Sequence, residues 1–165
     1  MVVREDRGRA GQQRRWAFFN SLVRSQSVSR GLFVDTSAWK ALVDAKEKSH
    51  DRVRREFERC QRERVGLVTT DYVLSETFTL LRLRCSHDVA VQFGDMLFAS
   101  HVTKVQPITA DQFRQAWAVF GRYADKAFSF VDCTSFVVME QQKLREALAL
   151  DAHFTQYGFR TRPGK

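Results

Sequence analysis

Four acidic residues stand where solubility alone does not account for a carboxylate. Asp35 directly follows the apolar run Leu32-Phe33-Val34, and Asp151 directly follows Ala147-Leu148-Ala149-Leu150. Each has an ordinary explanation, since Asp is a good N-cap for a following helix. Glu76 lies among Val73, Leu74, Phe78 and Leu80, and Asp132 is embedded in Phe130-Val131-Asp132-Cys133-Thr134-Ser135-Phe136-Val137-Val138. An ionised carboxylate in apolar surroundings is costly unless it is paired or coordinates a cation. Neither has a basic residue three or four positions away; around Glu76 those positions hold Tyr72, Val73, Thr79 and Leu80. A shared hard cation is the natural alternative, because carboxylates hold Mg2+ or Mn2+ through a few oxygens with water completing an octahedron. Such a site suggests phosphate chemistry, in which a cation activates water and stabilises the charge developing on phosphate.

Other routes to chemistry are missing from the sequence. There is no Gly-x4-Gly-Lys-[Ser/Thr] loop, no Gly-x-Gly-x-x-Gly and no Gly-x-Ser-x-Gly elbow. Asp35-Thr36-Ser37 lacks a second Asp two residues on, which counts against a phosphoaspartyl phosphatase. Cys60, Cys85 and Cys133 form no Cys-x-x-Cys, so neither a disulfide framework nor a thiolate zinc site is indicated, and a reducing cytosol fits best. His50, His87, His101 and His153 lack metal-ligand spacing and read as surface or packing residues.

The elements that must position the four acids follow from hydrophobic periodicity. Leu32-Phe33-Val34 reads as a buried strand, with a helix from Ser37 to Ala45 after it. Residues 50–64 place Val53, Phe57 and Cys60 or Gln61 on one face of an amphipathic helix. Residues 66–69 are a second strand, and Thr70 or Asp71 caps a helix from Tyr72 to Arg84. Val89, Phe93, Met96 and Leu97 mark another helix, and Val102 to Ile108 a strand broken by Pro107. Thr109 caps a helix striped by Phe113, Ala116, Trp117 and Phe120; Ser129 precedes a buried helix, and Ala147 to Leu150 is the last expected strand. Strands separated by helices imply an α/β domain with a mostly parallel sheet, whose ligand site lies outside the carboxyl ends of the strands. Asp35 and Asp151 then project at the same rim.

A chain of 165 residues suits one compact domain with a tail, and 44% hydrophobic residues supply its core. No run approaches the roughly 18–20 apolar residues of a membrane helix. The formal net charge is +8, and residues 1–30 hold seven arginines against Glu5 and Asp6, or +5 of it. A basic surface attracts phosphate backbones without reading sequence. This Arg- and Ser-rich leader, with Trp16, Phe18, Phe19, Leu22 and Val23 as its apolar cluster, reads as a disordered extension or a short accessory helix, with an organellar transit segment as the alternative.

Taken together, Leu32-Phe33-Val34-Asp35-Thr36-Ser37-Ala38, Leu74-Ser75-Glu76, Ser129-Phe130-Val131-Asp132-Cys133-Thr134-Ser135-Phe136 and Leu150-Asp151-Ala152-His153-Phe154 resemble the ordered motifs of PIN-domain ribonucleases, especially VapC-type toxins. The resemblance implies a three-layer α/β/α fold over residues 31–161, with 1–30 as a basic extension and 162–165 as a tail. It implies a Mg2+- or Mn2+-dependent endoribonuclease, with Asp35, Glu76, Asp132 and Asp151 as the acidic quartet that binds the cation and carries catalysis. Thr36 and Ser135 match hydroxyl positions that could orient a carboxylate or a water behind the metal ligands. Where a Thr often precedes the family's last acid, this chain has Leu-Ala-Leu before Asp151. Lys40, Arg82, Arg84, Arg122 and Lys126 are candidates for gripping RNA phosphates, each against a plain reading as solvated charge. Lys126 stands out because it lies a few residues before Asp132. Trp39, Phe113, Trp117 and Phe120 could stack on bases, but their helical spacing favours core packing. The implied partners are RNA and a small antitoxin protein gripping the acidic rim and the helices of residues 37–64; a homodimer stays open, a membrane is not expected, and the expected location is the cytoplasm. The alternatives are a PIN-type nuclease of RNA processing or turnover without an antitoxin, and a non-catalytic RNA-binding PIN module.

Overall fold

The computed structural model of the chain describes residues 31–164. The leader and its apolar cluster therefore lie outside the described residues. In chain order the elements are β1 (Gly31–Val34), α1 (Thr36–Val43), α2 (His50–Arg62), β2 (Gly66–Thr70), α3 (Asp71–Arg84), α4 (His87–Phe98), β3 (Thr103–Gln106), α5 (Ala110–Arg122), α6 (Phe130–Gln141), β4 (Glu146–Leu148), α7 (His153–Tyr157) and β5 (Arg160–Arg162).

All five strands pair in parallel, in the order β3-β2-β1-β4-β5, with Phe33 opposite both Val68 and Ala147. The chain moves outward from β1 to β2 and β3, then returns to the other side of β1 with β4. That reversal opens a crevice between β1 and β4 at their carboxyl ends, where open α/β sheets place ligands. The backbone N–H of Asp35 donates to the Leu148 carbonyl at 3.0 Å, holding the two strand ends together there.

Helix starts follow the expected cap chemistry. The hydroxyls of Thr70, Ser86, Thr109 and Ser129 each accept a backbone N–H from the first turn of the following helix, and Asp35 caps α1 through its carboxylate. Such a cap is worth about 1 kcal/mol. Trp39 is buried between Phe57 and Phe93, with ring centroids 5.1 and 5.6 Å away, and its indole N–H donates to Thr69. A second aromatic group joins Phe33, Phe128, Phe136, Phe154 and Tyr157, in which the Phe136 and Tyr157 rings stack at 4.2 Å. Full burial of such side chains contributes roughly 2–3 kcal/mol each.

Three differences from the sequence reading have physical causes. The last strand expected from the sequence is β4 over Glu146–Leu148, shorter than the run 147–150, and it is followed by α7 and β5, which hydrophobic periodicity does not reveal. α7 has five residues, too few to show a helical period, and β5 reads Arg-Thr-Arg, with no apolar alternation. Between them Gly158 adopts φ +119°, a turn that an L side chain resists. Core packing holds for Trp39 but not for Phe113, Trp117 and Phe120, which are 43%, 64% and 42% exposed. Ala116 and Val119 form the buried stripe of α5 instead, leaving the aromatics on a rim where they contact Phe130. No helix among the described residues is long and apolar enough to cross a membrane.

Candidate active site

Asp35 stands at the β1 end of the crevice, only 4% exposed. Its Oδ2 accepts the Ser37 hydroxyl at 2.6 Å and the Ser37 backbone N–H at 3.0 Å. The same Ser37 hydroxyl accepts the backbone N–H of Leu150 at 3.0 Å, so it ties Asp35 to the segment that carries Asp151. Burial pushes the Asp35 carboxyl up to about 7; the Ser37 hydrogen bonds oppose this, and the charges of Asp151 and Asp132 add to it. Charge repulsion from those two residues shows that the three carboxylates share one neighbourhood.

Glu76 reaches the site from the second turn of α3. Its Oε2 accepts the Thr36 hydroxyl at 2.7 Å, so the residue after Asp35 holds the second acid. Asp132 occupies the third position of α6 and exchanges capping hydrogen bonds with Ser129: its backbone N–H donates to the Ser129 hydroxyl, and its Oδ2 accepts the Ser129 backbone N–H at 2.7 Å. That Oδ2 also accepts from His153 Nδ1 at 2.8 Å. Asp151 lies in the turn after β4, and its Oδ1 accepts the backbone N–H of His153 at 2.9 Å.

A common pattern runs through the four. In each carboxylate one oxygen is held by protein donors, and the other (Oδ1 of Asp35, Oε1 of Glu76, Oδ1 of Asp132, Oδ2 of Asp151) makes no hydrogen bond among the described residues. Donors on one oxygen fix a carboxylate's orientation and leave the other available as a ligand. This donor set suits a hard divalent ion.

Other predicted positions fare differently. Ser135 is buried, but its hydroxyl donates to the Val131 carbonyl of its own helix and bonds none of the four acids. Lys40, expected to grip phosphate, is paired with Glu47 instead. Lys126 lies 2.9 Å from Asp125, while Arg82 contacts His87 through Nδ1. Arg84 and Arg122 are exposed. The reading of all four histidines as surface or packing residues is corrected at His153: it offers a ligand atom within 4.8 Å of one on Asp132 and one on Asp151. Fixed His spacings could not reveal it, because its partners arrive from different elements. The available signal was its position two residues after Asp151. Beside the acids an open groove of about 570 Å³ is lined by Tyr72, Ser75, Glu76, Thr79, Leu80 and Val131, among others.

The family model described as the PIN domain matches residues 32–160. This chain belongs to the PIN-domain family. Within it, the chain is 38% identical over 128 residues to the Mycobacterium tuberculosis protein described as the 23S rRNA-specific endonuclease VapC20, a match found in two strains. The alignment covers 78% of this chain and 95% of that protein. The crystal structure of Mycobacterium tuberculosis VapC20, described as a sarcin-ricin loop cleaving toxin, superposes with a TM-score of 0.70 at 37% identity, again covering 78% and 95% of the two chains. The chain is therefore a PIN-domain endoribonuclease of the VapC type, and its all-parallel sheet with flanking helices is the expected fold.

Proposed function

We propose that Asp35, Glu76, Asp132 and Asp151 together hold Mg2+ or Mn2+ and that the enzyme hydrolyses a phosphodiester in a loop of ribosomal RNA, as the VapC20 relative's description suggests. The observation that carries the cation assignment is the four carboxylates, each with one oxygen held and one free. When bound, the cation supplies activation of water and stabilisation of charge on the scissile phosphate. The chain's own residues provide the frame. Ser37 orients Asp35, Thr36 orients Glu76, and the Ser129 cap orients Asp132 at the start of α6. Burial of Asp35 and Asp132 keeps water from screening their charges, which strengthens their hold on a cation. The open groove beside Glu76, about 570 Å³ with Tyr72 in its lining, is where an unpaired nucleotide would stack.

Residues 31–161 act as the nuclease unit, and the basic leader adds nonspecific attraction for RNA. We assign the enzyme to the cytoplasm, under control of a small antitoxin. Exposed apolar side chains for such a partner are expected from the sequence on residues 37–64, whereas the large exposed apolar residues among those described are Leu83, Val91, Phe98, Phe113, Trp117 and Phe120. These belong to α3, α4 and α5 and are also available for a homodimer. The function is tested by incubating purified protein with intact ribosomes and with deproteinised 23S rRNA, then sequencing the new RNA ends, with Asp132→Asn in parallel. Cleavage at one loop by the wild type alone supports the reading. No cleavage of either substrate with Mg2+ or Mn2+ present, or equal cleavage by the variant, refutes it.

A further inference from the structure

His153 touches two of the four acids from opposite ends of its own structure. Its ring donates through Nδ1 to Asp132 Oδ2 at 2.8 Å, and its backbone N–H donates to Asp151 Oδ1 at 2.9 Å. The ring is itself confined: Phe128 meets it edge to face at 5.7 Å, and the residue begins α7, whose Phe154 is fully buried. Its side chain is 28% exposed against 8% for that of Asp132, so the more accessible ring contacts the more buried carboxylate. Asp132 and Asp151 come from different elements, α6 and the turn after β4, and His153 bridges them.

We propose that His153 is a positioning residue, which clamps Asp132 through its ring and Asp151 through its backbone so that the free oxygen of each is presented to one divalent cation. The inference rests on the cation-site reading above. Imidazole suits this task chemically. A lysine or arginine in its place would bring a permanent positive charge beside a cation and compete with it for the carboxylates, whereas a neutral imidazole N–H orients an acid without cancelling its charge. The Ser129 N–H alone holds Asp132 Oδ2 by a capping bond within α6, which ties the acid to its own helix but not to Asp151. Residues that orient metal ligands typically change metal affinity by about 10- to 100-fold when removed.

The experiment measures Mn2+ binding by calorimetry to the full-length, EDTA-stripped protein, comparing wild type, His153→Ala, His153→Asn and Asp132→Asn. Asparagine places an N–H donor at the position of Nδ1 but offers nothing where Nε2 stands. We expect His153→Ala to bind Mn2+ about 10- to 100-fold more weakly and His153→Asn to recover most of that loss. Wild-type affinity in His153→Ala overturns the inference while leaving the cation site intact. Equal weakening in both His153 variants also overturns it, because the imidazole would then be a ligand rather than a clamp. If His153→Ala does not fold, the asparagine variant decides alone: near wild-type affinity supports the clamp, and weak binding refutes it. Failure of the wild type to bind Mn2+, or unchanged binding in Asp132→Asn, brings down the cation-site reading and the inference with it.

Discussion

Asp35→Asn should make the metal-free protein more stable at neutral and alkaline pH, though it removes a proposed cation ligand. Burial holds the Asp35 carboxyl near 7 in the folded protein against an ordinary value of 3.8, so the folded state binds this proton more tightly than the unfolded state does. Stability associated with this group is fully present below about pH 4 and is lost as pH rises through about 7. The interval between 3.8 and about 7 corresponds to about 4 kcal/mol, at about 1.4 kcal/mol per tenfold change. Asparagine keeps an acceptor for Ser37 but brings a buried amide that costs about 1–2 kcal/mol if unpaired. The net gain above pH 7 is then on the order of 2–3 kcal/mol, or roughly 6–15 °C in melting temperature for a domain of this size. Near pH 4 the gain should vanish or change sign. Denaturant unfolding in EDTA across pH 4 to 8.5 measures this difference directly, since the other titrating groups are common to both proteins. Added Mn2+ should reverse the order, because only the wild type binds it tightly. A variant no more stable than wild type at pH 8, or equally stabilised at every pH, would refute the reasoning.

We predict that RNA cleavage stops in excess EDTA and returns with Mn2+ or Mg2+ but poorly with Ca2+, whose larger ion holds ligands in looser geometry; activity that survives chelation in a gel assay would exclude a cation mechanism. Thr36→Val, which removes the hydroxyl that holds Glu76 at 2.7 Å, should weaken Mn2+ binding about tenfold while changing the melting temperature of the metal-free protein little. Deleting residues 1–29 should leave cleavage of a short RNA nearly unchanged but lower nonspecific affinity, with the slope of log K against log salt falling by roughly 0.7 for each RNA phosphate that the leader no longer neutralises. Co-expression with a neighbouring small gene should yield a complex that cleaves RNA only after the partner has been stripped by denaturation and refolding.

The acids were legible because buried charge has few explanations. Asp132 sits in a run so apolar that the sequence alone demands a compensating group, and the structure finds one for only half of its carboxylate: Oδ2 takes Ser129 and His153, while Oδ1 takes none. For Glu76 the sequence could exclude basic neighbours on the helix but could not show Thr36, 40 residues away, as the donor. β1 and β2 were clear from continuous apolar runs, as expected for a sheet covered on both faces. The edge strand β5, Arg-Thr-Arg, gives no such signal: it pairs with β4 through its backbone and through Arg160 and Arg162 to Glu146. The aromatics of α5 show the limit of periodicity. Their spacing identifies one stripe, but which stripe is covered depends on where α6 crosses, and α6 covers Ala116 and Val119.

Charge distribution then orders the events at the site. On the proposed reading the three aspartates and Glu76 would face an RNA phosphate that is itself negative, and two like charges about 4 Å apart cost about 4 kcal/mol at an effective dielectric near 20. In the metal-free protein burial above all, with the charges of Asp151 and Asp132 adding to it, pushes the Asp35 carboxyl up to about 7, which favours a retained proton there. To serve as a ligand Asp35 would have to give up that proton, and a cation held by these acids would supply the positive charge that an RNA phosphate requires. Among the candidate basic residues Lys126 is paired with Asp125 and Arg82 contacts His87, while Arg84 and Arg122 are exposed. On the proposed reading the acids would serve RNA binding through the ion, so metal loading would favour productive entry of the substrate. The clamp formed by Ser37, Thr36, Ser129 and His153 matters for the same reason: ligands oriented before the ion arrives lose less freedom in binding it, so more of the attraction between cation and carboxylates appears as affinity.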